Sequence, residues 1–437
     1  MKNAISSIPR LSLGFIVFLV ACHQSQASLE SGSVKTQTTQ QPHRTWIKAA
    51  ELPKPYASLS ASQPPQVIPR PQNARLVVPT GFQVSIFAKG LSRPRWLAVA
   101  PNGDVLVAES YDHRIRVLRD LDKDGQAEGN TVLLSNLNQP LGMTFAPDQR
   151  FLYVANTDAV VRFPYTVGQT QINSTPQVVT TLPGQGYRQH WTRNLRFSPD
   201  GKRLFISVGS RSNAEEEELP RASIQVITLQ QGSAQPSFGS LQTYAAGLRN
   251  PVGLDFHPQT QQLYTTVNER DGLGDDLVPD YLTSVKTNGF YGWPYTYLGK
   301  NRDPRLPERP QLTARTLVPE VLFQAHSAAL GLVFYTGKQF PSTYHHDAFV
   351  AFRGSWNRSQ GTGYKVVRVP FDKQGKPKGY YEDFVTGWLA DPKVPTAWGR
   401  PVGLAVAVDG ALLIADEPGG VIWRVSYAGS PASPPQQ

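Results

Sequence analysis

A histidine at position 190 stands in the stretch GYRQHWTRNLRFSPDG, residues 186–201, between an amide side chain and an indole. Arg188 and Arg193 are close to it in the chain. An imidazole titrates near neutrality, so it can accept a substrate hydroxyl proton as a general base. His190 is therefore the first candidate for a catalytic residue.

Other polar residues open phrases that are similar to the one after His190. They are Arg93, Arg95, Gln139, Arg249, Asn250, His326 and Arg400. Guanidinium groups offer forked donors to the oxygens of an anionic group such as a carboxylate. Several arginines and amides around one histidine suit an anionic, planar cofactor. The alternative is that each polar residue merely caps a strand.

The elements that carry these residues are versions of one phrase: a short apolar strand, a polar turn and a second strand of alternating apolar residues. Copies begin at Arg93, Gln139, Thr192, Asn250 and Arg400, with a degenerate one at Ala329. Most are followed by a third strand, such as RIRVLRD or VIWRVSY. Radially repeated antiparallel sheets form a β-propeller, so six copies predict an all-β fold with six four-stranded blades. A two-sheet sandwich is the alternative, but it would not need six similar phrases.

An early segment supplies a way to close the ring. The last copy has three strands, whereas GFQVSIFA, residues 81–88, belongs to no complete copy. We expect this segment to add the fourth strand to the last blade, because closure protects an otherwise exposed edge. In such a ring the residues that open the inner strands converge at one mouth of the central channel.

The composition of the 437 residues agrees with many turns and a sizeable core, with 36 Gly, 37 Pro and 40% hydrophobic residues. A single cysteine excludes a disulfide within one chain. The formal charge is +10, yet the sequence has no block rich in lysine and arginine. We therefore expect no nucleic-acid partner. The charge fits either a generally basic surface or an anionic cofactor or substrate that needs arginines.

The N-terminus has the pattern of an exported lipoprotein. The apolar run LSLGFIVFLVA ends at Cys22, and small residues precede that cysteine. This predicts a signal peptide over residues 1–21 and lipidation of Cys22; a plain secretory signal is the alternative. The composition predicts a disordered stalk over residues 22–75 and a disordered tail over residues 429–437. The propeller is predicted over residues 76–428. We expect a membrane-anchored envelope protein, in the periplasm or at the cell surface.

Several phrases together resemble a known family. They are QHWTRNLRFSPDG, GLRNPVGLDFHP, VNERDGLGDDLVPDYL, NGFYGWP, HSAALGLVFY, GSWNRS and GRPVGLAV. The chain resembles the glucose/sorbosone dehydrogenases, which are soluble quinoprotein sugar dehydrogenases, and is most similar to the sorbosone dehydrogenase type. The resemblance runs from about residue 77 to 427. It implies a six-bladed propeller, pyrroloquinoline quinone (PQQ) with calcium, oxidation of a sugar or sugar aldehyde, and an electron acceptor that the sequence does not name.

The resemblance also implies roles for single residues. His190 matches the family's base, which removes the hydroxyl proton while hydride moves to the quinone. Arg249 and Asn250 match the pair that contacts the cofactor, and Arg249 would also stabilise charge on the reduced quinone. Arg400 matches an arginine near the cofactor's carboxylates. Arg353 is proposed for a cofactor-contacting lysine that has no clear counterpart here.

Two segments are candidates for calcium. In VNERDGLGDDL the resemblance places Asp271 and Gly272 where the family offers two backbone carbonyls, and Asp276 on a nearby acidic position. Calcium takes such oxygen ligands. DLDKDGQAE, from Asp120, has calcium-loop spacing, but its twelfth position is Thr131 and not glutamate. A structural calcium site and a solvated turn both remain open for that loop.

Two other classes of function are alternatives for this sequence. A calcium-dependent propeller lactonase would need carboxylate and amide side chains that converge on the ion, whereas arginines dominate the strand openers here. A non-catalytic binding propeller tethered to the envelope would tolerate replacement of His190 without losing its ligand.

Overall fold

The structure, a computed structural model, describes residues 41–184, 190–230 and 237–429. The predicted signal peptide and Cys22 lie outside these ranges, as do Arg188 and most of the predicted tail. The described part is almost entirely β-structure. Its helical segments are short: an α-helix over Pro310–Ala314 and 3₁₀ turns over Ala49–Glu51, Ser110–Asp112 and Ser342–Tyr344. Among the described residues, no helix is long and apolar enough to cross a membrane.

Within the described ranges, six sheets contain four or more strands, and we number them in chain order. Sheet 1 is Trp96–Val99, Val105–Glu109, Arg114–Arg119 and Gly129–Leu134. Sheet 2 is Met143–Phe145, Phe151–Ala155, Ala159–Pro164 and Gln177–Thr181. Sheet 3 is Leu195–Phe197, Arg203–Val208, Ser223–Gln230 and Gln242–Ala246, with Ser237–Phe238 and Gly289–Phe290 added at its outer side.

The remaining sheets follow the same antiparallel order. Sheet 4 is Asn250–Phe256, Leu263–Asn268, Tyr281–Ser284 and Val321–Leu322. Sheet 5 is Ala329–Phe334, Ala348–Phe352, Lys365–Val369 and Tyr381–Val385, with Arg44–Thr45 on its outer edge. Sheet 6 is Pro401–Val406, Leu412–Asp416 and Val421–Tyr427, with Phe82–Ala88 paired to the last of these. A small three-stranded sheet has the order Gln66–Val67, Thr396–Ala397, Leu389–Asp391. A two-stranded sheet pairs Thr296–Tyr297 with Asn301–Arg302.

The first strand of each sheet contacts the first strands of the two neighbouring sheets, in the cyclic order 1–2–3–4–5–6–1. A central cavity of about 350 Å³ is lined by residues of all six first strands. The predicted all-β class with four-stranded antiparallel sheets is confirmed, and the arrangement agrees with a β-propeller.

Hydrophobic layers separate each sheet from the next. In the second strand of sheet 3, Phe205 packs toward sheet 4, while Leu204 and Ile206 pack toward sheet 2. Successive side chains of a strand point to opposite faces, so a sheet covered on both sides buries every position. All five residues of Phe151–Ala155 are buried for this reason.

Glycines in the first strands allow the closest approach between sheets. A Cβ on Gly331 would lie 2.2 Å from the carbonyl oxygen of Val402, and one on Gly403 would lie 2.7 Å from that of Arg95. These glycines occupy the same place in the repeated phrase, which reads ALGL and PVGL. The phrase is therefore shaped by crowding around the central cavity.

The predicted stalk requires a correction. Arg44–Thr45 pair with Tyr381 and Glu382, and Gln66–Val67 pair with Thr396–Ala397. Ile47, Ala49 and Leu52 pack against the core. The prediction of disorder is wrong for residues 41–75, because neighbouring sheets supply the apolar surface and backbone partners that this stretch lacks by itself.

Candidate active site

A pocket of about 560 Å³ lies where sheets 1, 3, 4 and 5 begin their first strands and end their second strands. It is lined by most of the polar openers and by the loops that follow the second strands: Arg95, Tyr111, His190, Trp191, Thr192, Arg249, Asn250, Asn268, Glu269, Asp271, Asp280, His326, Ala328, Leu330, Arg353, Gly354, Trp356 and Asn357. Gln139 is absent from this lining, and Arg400 lies behind it.

His190 precedes the first strand of sheet 3 with a left-handed backbone, at φ +48°. Its Nδ1 is 3.0 Å from both the carbonyl oxygen and the Oγ of Ser210. A proton on Nδ1 that is donated to the carbonyl leaves the Nε2 lone pair as an acceptor. Burial, together with the nearby charge of Arg249, lowers the pKa of His190 to about 3. The ring is therefore neutral at pH 7 and has the protonation state of a base.

Gly209 makes room for this histidine. A Cβ at Gly209 would lie 2.8 Å from Cβ of His190 and 2.4 Å from Oδ1 of Asn250. That Oδ1 is buried and has no hydrogen-bond partner among the residues that the structure describes. His190 and Asn250 are thus held side by side, with an acceptor on Asn250 left to a ligand.

Arg249 is buried and fixed by two loops. It donates to the carbonyl and the Oδ1 of Asn213, at 3.0 and 2.9 Å, and to the carbonyl of Glu269 at 2.6 Å. Arg249 also pairs with the carboxylate of Asp271 at 3.2 Å. Its donors are directed to the protein, so its positive charge is what it contributes to the pocket.

A second group of arginines surrounds one buried carboxylate. Glu417 accepts from Arg93 at 2.9 Å, Arg95 at 2.9 Å and Arg353 at 2.7 Å. Burial alone would raise the pKa of Glu417, but Arg95 and Arg353 hold it well below its usual range. Three cations against one anion leave this wall of the pocket positive.

Arg400 supports this wall from behind. It donates to the carbonyl of Arg353 at 3.0 Å and to that of Gly354 at 2.8 Å. Burial and repulsion from Arg353 lower the pKa of Arg400 to about 9. Arg400 therefore fixes the backbone that carries Arg353.

The three predicted calcium ligands do not form a ligand set. The carbonyl of Asp271 accepts from Asn213 at 2.9 Å and from Arg305 at 2.8 Å. The carboxylate of Asp276 is exposed and pairs with Arg358. A Cβ on Gly272 would meet the same Arg305 guanidinium. Arginine donors thus occupy the Asp271 carbonyl and the Asp276 carboxylate, so the predicted set of Asp271, Gly272 and Asp276 does not fit calcium.

The pocket offers other oxygens. The Asp271 side chain accepts from Asn357 at 2.6 Å and, despite burial, Arg249 keeps its pKa below the usual range. Glu269 has a buried Oε1 without a partner in the described part of the chain. Burial raises the pKa of Asp280 to about 7, although backbone N–H groups of Glu269 and Ala328 donate to it.

The loop after Arg119 brings four acidic residues together. Ligand atoms of Asp120, Asp122, Asp124 and Glu128 lie within 4.8 Å of one another, the one such group among the described residues. Glu128, and not Thr131 at the twelfth position, supplies the fourth carboxylate. The loop therefore offers the carboxylate oxygens that a cation site needs. The alternative is that these carboxylates belong to a solvated turn.

Sequence reasoning missed Asn213 and Glu417. Asn213 lies in a loop outside the repeated phrase, and nothing in its spacing marks it. Glu417 does carry a signal: Glu109, Glu269 and Glu417 stand at or just after the end of a second strand, and all three are buried beside arginines. The repeat therefore marks this position as one for a buried carboxylate that pairs with arginine.

With the fold and this site described, the chain can be assigned to a class. A family model described as TrAA12-like matches residues 76–285 and 311–428. The chain belongs to this family. The predicted relationship to soluble PQQ-dependent sugar dehydrogenases is thereby confirmed, while the sorbosone type is not specified.

Two relatives are similar in sequence. An uncharacterized protein of Borreliella burgdorferi is 28% identical over 369 residues, which are 80% of this chain and 91% of that protein. The PQQ-dependent pyranose dehydrogenase of Coprinopsis cinerea is 27% identical over 430 residues, covering 82% of this chain and 55% of the enzyme. The chain thus spans about half the length of that enzyme.

Two solved structures are similar in fold. The holo form of the pyranose dehydrogenase PQQ domain from Coprinopsis cinerea has a TM-score of 0.67 at 22% identity, over 82% of this chain and 98% of that domain. The calcium structure of the Trichoderma reesei family AA12 enzyme has a TM-score of 0.70 at 20% identity, over 83% and 98% of the two chains. These similarities establish a shared fold.

Proposed function

We propose that the protein is a PQQ-dependent dehydrogenase that oxidises a sugar or sugar aldehyde. The observation that carries this proposal is a neutral histidine beside Arg249, in a pocket that Arg95 and Arg353 also line, in a chain of the TrAA12-like family. The names of the Coprinopsis enzyme and its PQQ domain support the cofactor. Sorbosone and glucose are the first substrates to test.

The pocket fits a planar, polyanionic group. Arg95, Arg249 and Arg353 line it, and the acceptor Oδ1 of Asn250 has no partner in the described structure. PQQ, a tricarboxylate ortho-quinone, supplies a hydride acceptor when bound. Arg353 and Arg95 would hold its carboxylates, with Arg400 fixing Arg353, and Asn250 would contact the ring.

His190 takes the proton. With Nδ1–H directed to Ser210, the Nε2 lone pair is available to a substrate hydroxyl in the pocket. The positive charge of Arg249 stabilises negative charge that develops beside it, and it also keeps the imidazole neutral before reaction.

Calcium is proposed as the second cofactor, supported by the calcium structure of the Trichoderma enzyme. The predicted ligand set does not fit, so the ion would use pocket oxygens instead. The ionised Asp271 carboxylate and the unpartnered Oε1 of Glu269 are hard oxygen donors of the required kind.

The six sheets are proposed as six blades, with Phe82–Ala88 closing the ring in sheet 6. The cyclic contacts of the first strands and the pairing of Phe82 with Tyr427 support this. We also propose export and lipidation at Cys22, which would tether the protein to a membrane of the cell envelope. An acceptor of unknown identity would take the electrons.

The direct test adds PQQ and Ca²⁺ to purified protein and follows dye reduction with sorbosone, glucose and other aldoses. We expect PQQ-dependent turnover with at least one of these sugars. Lactone hydrolysis without quinone would instead favour a hydrolase, and ligand binding without any turnover would favour a binding protein.

A further inference from the structure

A segment before the family-matched region crosses the outside of the pocket wall. We call residues 56–68 the N-terminal strap. Its two serines accept backbone hydrogen bonds from the loop 271–276: Gly274 N–H donates to Ser60 Oγ at 3.1 Å, and Asp275 N–H donates to Ser58 Oγ at 2.9 Å. The strap therefore restrains the loop that carries Asp271.

The strap then reaches a second loop, residues 354–359. The backbone N–H of Gln63 donates to the carbonyl of Trp356 at 2.8 Å. With its side-chain nitrogen facing the loop, Gln63 also donates to the carbonyl of Ser359 at 2.9 Å. Gln66–Val67 then pair with Thr396–Ala397, which fixes the far end of the strap.

The two loops form one wall of the pocket. Asn357 Nδ2 donates to the Asp271 carboxylate at 2.6 Å, and Ser359 N–H donates to the Asp275 carboxylate at 2.6 Å. Asp271, Trp356 and Asn357 face the cavity. The strap covers the outside of a wall whose inside lines the proposed substrate site.

Trp356 differs from the rest of this wall. Trp356 is 49% exposed and lines the pocket, whereas the adjacent Ser355 and Asn357 are buried. A large aromatic face held at a cavity by a fixed backbone is a typical small-molecule contact surface. The C–H groups on one face of a pyranose ring form an apolar patch that can lie against an indole.

We propose that Trp356 is a specificity-determining residue on which the pyranose ring of the substrate lies, and that the N-terminal strap positions it. This inference rests on the proposed function. The strap precedes residue 76, where the family match begins. The inference assigns this additional segment to the substrate site. The strap has no catalytic role.

The experiment measures KM and kcat of the PQQ-loaded protein with glucose and other aldopyranoses. We expect Trp356→Ala to raise KM roughly 10- to 100-fold, with kcat changed by less than about 5-fold, because ground-state and transition-state contacts are lost together. The double variant Ser58→Ala/Ser60→Ala should raise KM about 3- to 10-fold in the same way. Leu59→Ala, at a strap residue that is 92% exposed, is the matched control and should leave KM unchanged.

Two further readouts separate this inference from the proposed function. Sugar binding to unloaded protein by calorimetry reports on Trp356 without turnover, and amide hydrogen exchange at residues 274, 275 and 356–359 reports on the strap. Faster exchange at these amides in the double serine variant is expected. The proposal would be overturned if Trp356→Ala left both KM and sugar affinity unchanged. It would also be overturned if the double serine variant had a lower melting temperature but an unchanged KM. Absence of PQQ turnover alongside Trp356-dependent sugar binding would contradict the proposed function alone.

Discussion

The ring of His190 is neutral because its surroundings disfavour charge. Its pKa falls from the ordinary 6.5 to about 3, so protonation of this base should not limit activity between these values. We therefore expect that protonation of His190 does not lower kcat/KM as the pH falls through 6.5. His190→Gln should lose about 10²- to 10⁴-fold in kcat and keep PQQ affinity within a few-fold. A pH–rate profile with an apparent pKa near 6.5 that disappears in His190→Gln would contradict this.

The lowered pKa of His190 also predicts how the free energy of unfolding depends on pH. Between pH 6.5 and about 3 the unfolded chain binds a proton at His190 that the folded chain does not. The free energy of unfolding therefore falls as the pH falls through this window. His190→Gln should lose less stability than the parent on acidification from pH 7 to 4, measured by urea unfolding at each pH. Equal losses would show that burial of His190 does not oppose its protonation.

Glu417 provides a second test on a single side chain. Its carboxylate is buried and holds Arg93, Arg95 and Arg353. Glu417→Gln should destabilise the fold by about 3–5 kcal/mol, since it leaves the buried Arg95 without its counter-charge. Glu308→Gln, which removes an exposed partner of Arg302, is the control and should change stability by less than about 1 kcal/mol. Similar urea midpoints for the two variants would contradict the stabilising role assigned to the cluster of Glu417 and its three arginines.

Within a first strand, the absence of a side chain at one position decides how closely two sheets approach. Gly331→Ala places a Cβ 2.2 Å from the carbonyl oxygen of Val402, so the strands must separate. We expect a loss of about 1–3 kcal/mol or more in the free energy of unfolding. Gly239→Ala is the matched control, because its Cβ meets nothing closer than 3.5 Å. A Gly331→Ala protein as stable as the control would refute the role assigned to the glycine.

Strands were readily predicted from sequence because each copy of the phrase carries its own alternation of apolar residues. The polar openers were predicted to converge, and His190, Arg249 and Asn250 do share one pocket. The calcium ligands were not predictable in this way. The direction of the Asp271 carbonyl depends on Asn213, which is 58 residues away, and on Arg305. The order of residues 41–75 was missed because composition reports a segment's own apolar content and not the partners that fold onto it.

For the whole ring, the strand Phe82–Ala88 is the element on which the closure proposal depends. Val84 in this strand is buried in the core between sheets 5 and 6, whereas Gln83 is exposed. Val84→Asp should destabilise the entire domain, with a single unfolding transition at lower temperature, because an unpaired carboxylate enters the core. Gln83→Asp should leave the melting temperature nearly unchanged. Loss of only a minor early transition in Val84→Asp would show that this strand is peripheral and does not close the ring.

The central claim is that the arginine-lined pocket around His190 binds PQQ and uses this histidine as the base. The most direct measurement is a PQQ titration of the parent protein and of His190→Gln, followed by dye-linked turnover of each with aldoses. The account predicts comparable PQQ binding by both proteins and turnover by the parent alone. No PQQ binding by the parent, or full turnover by His190→Gln, would contradict it.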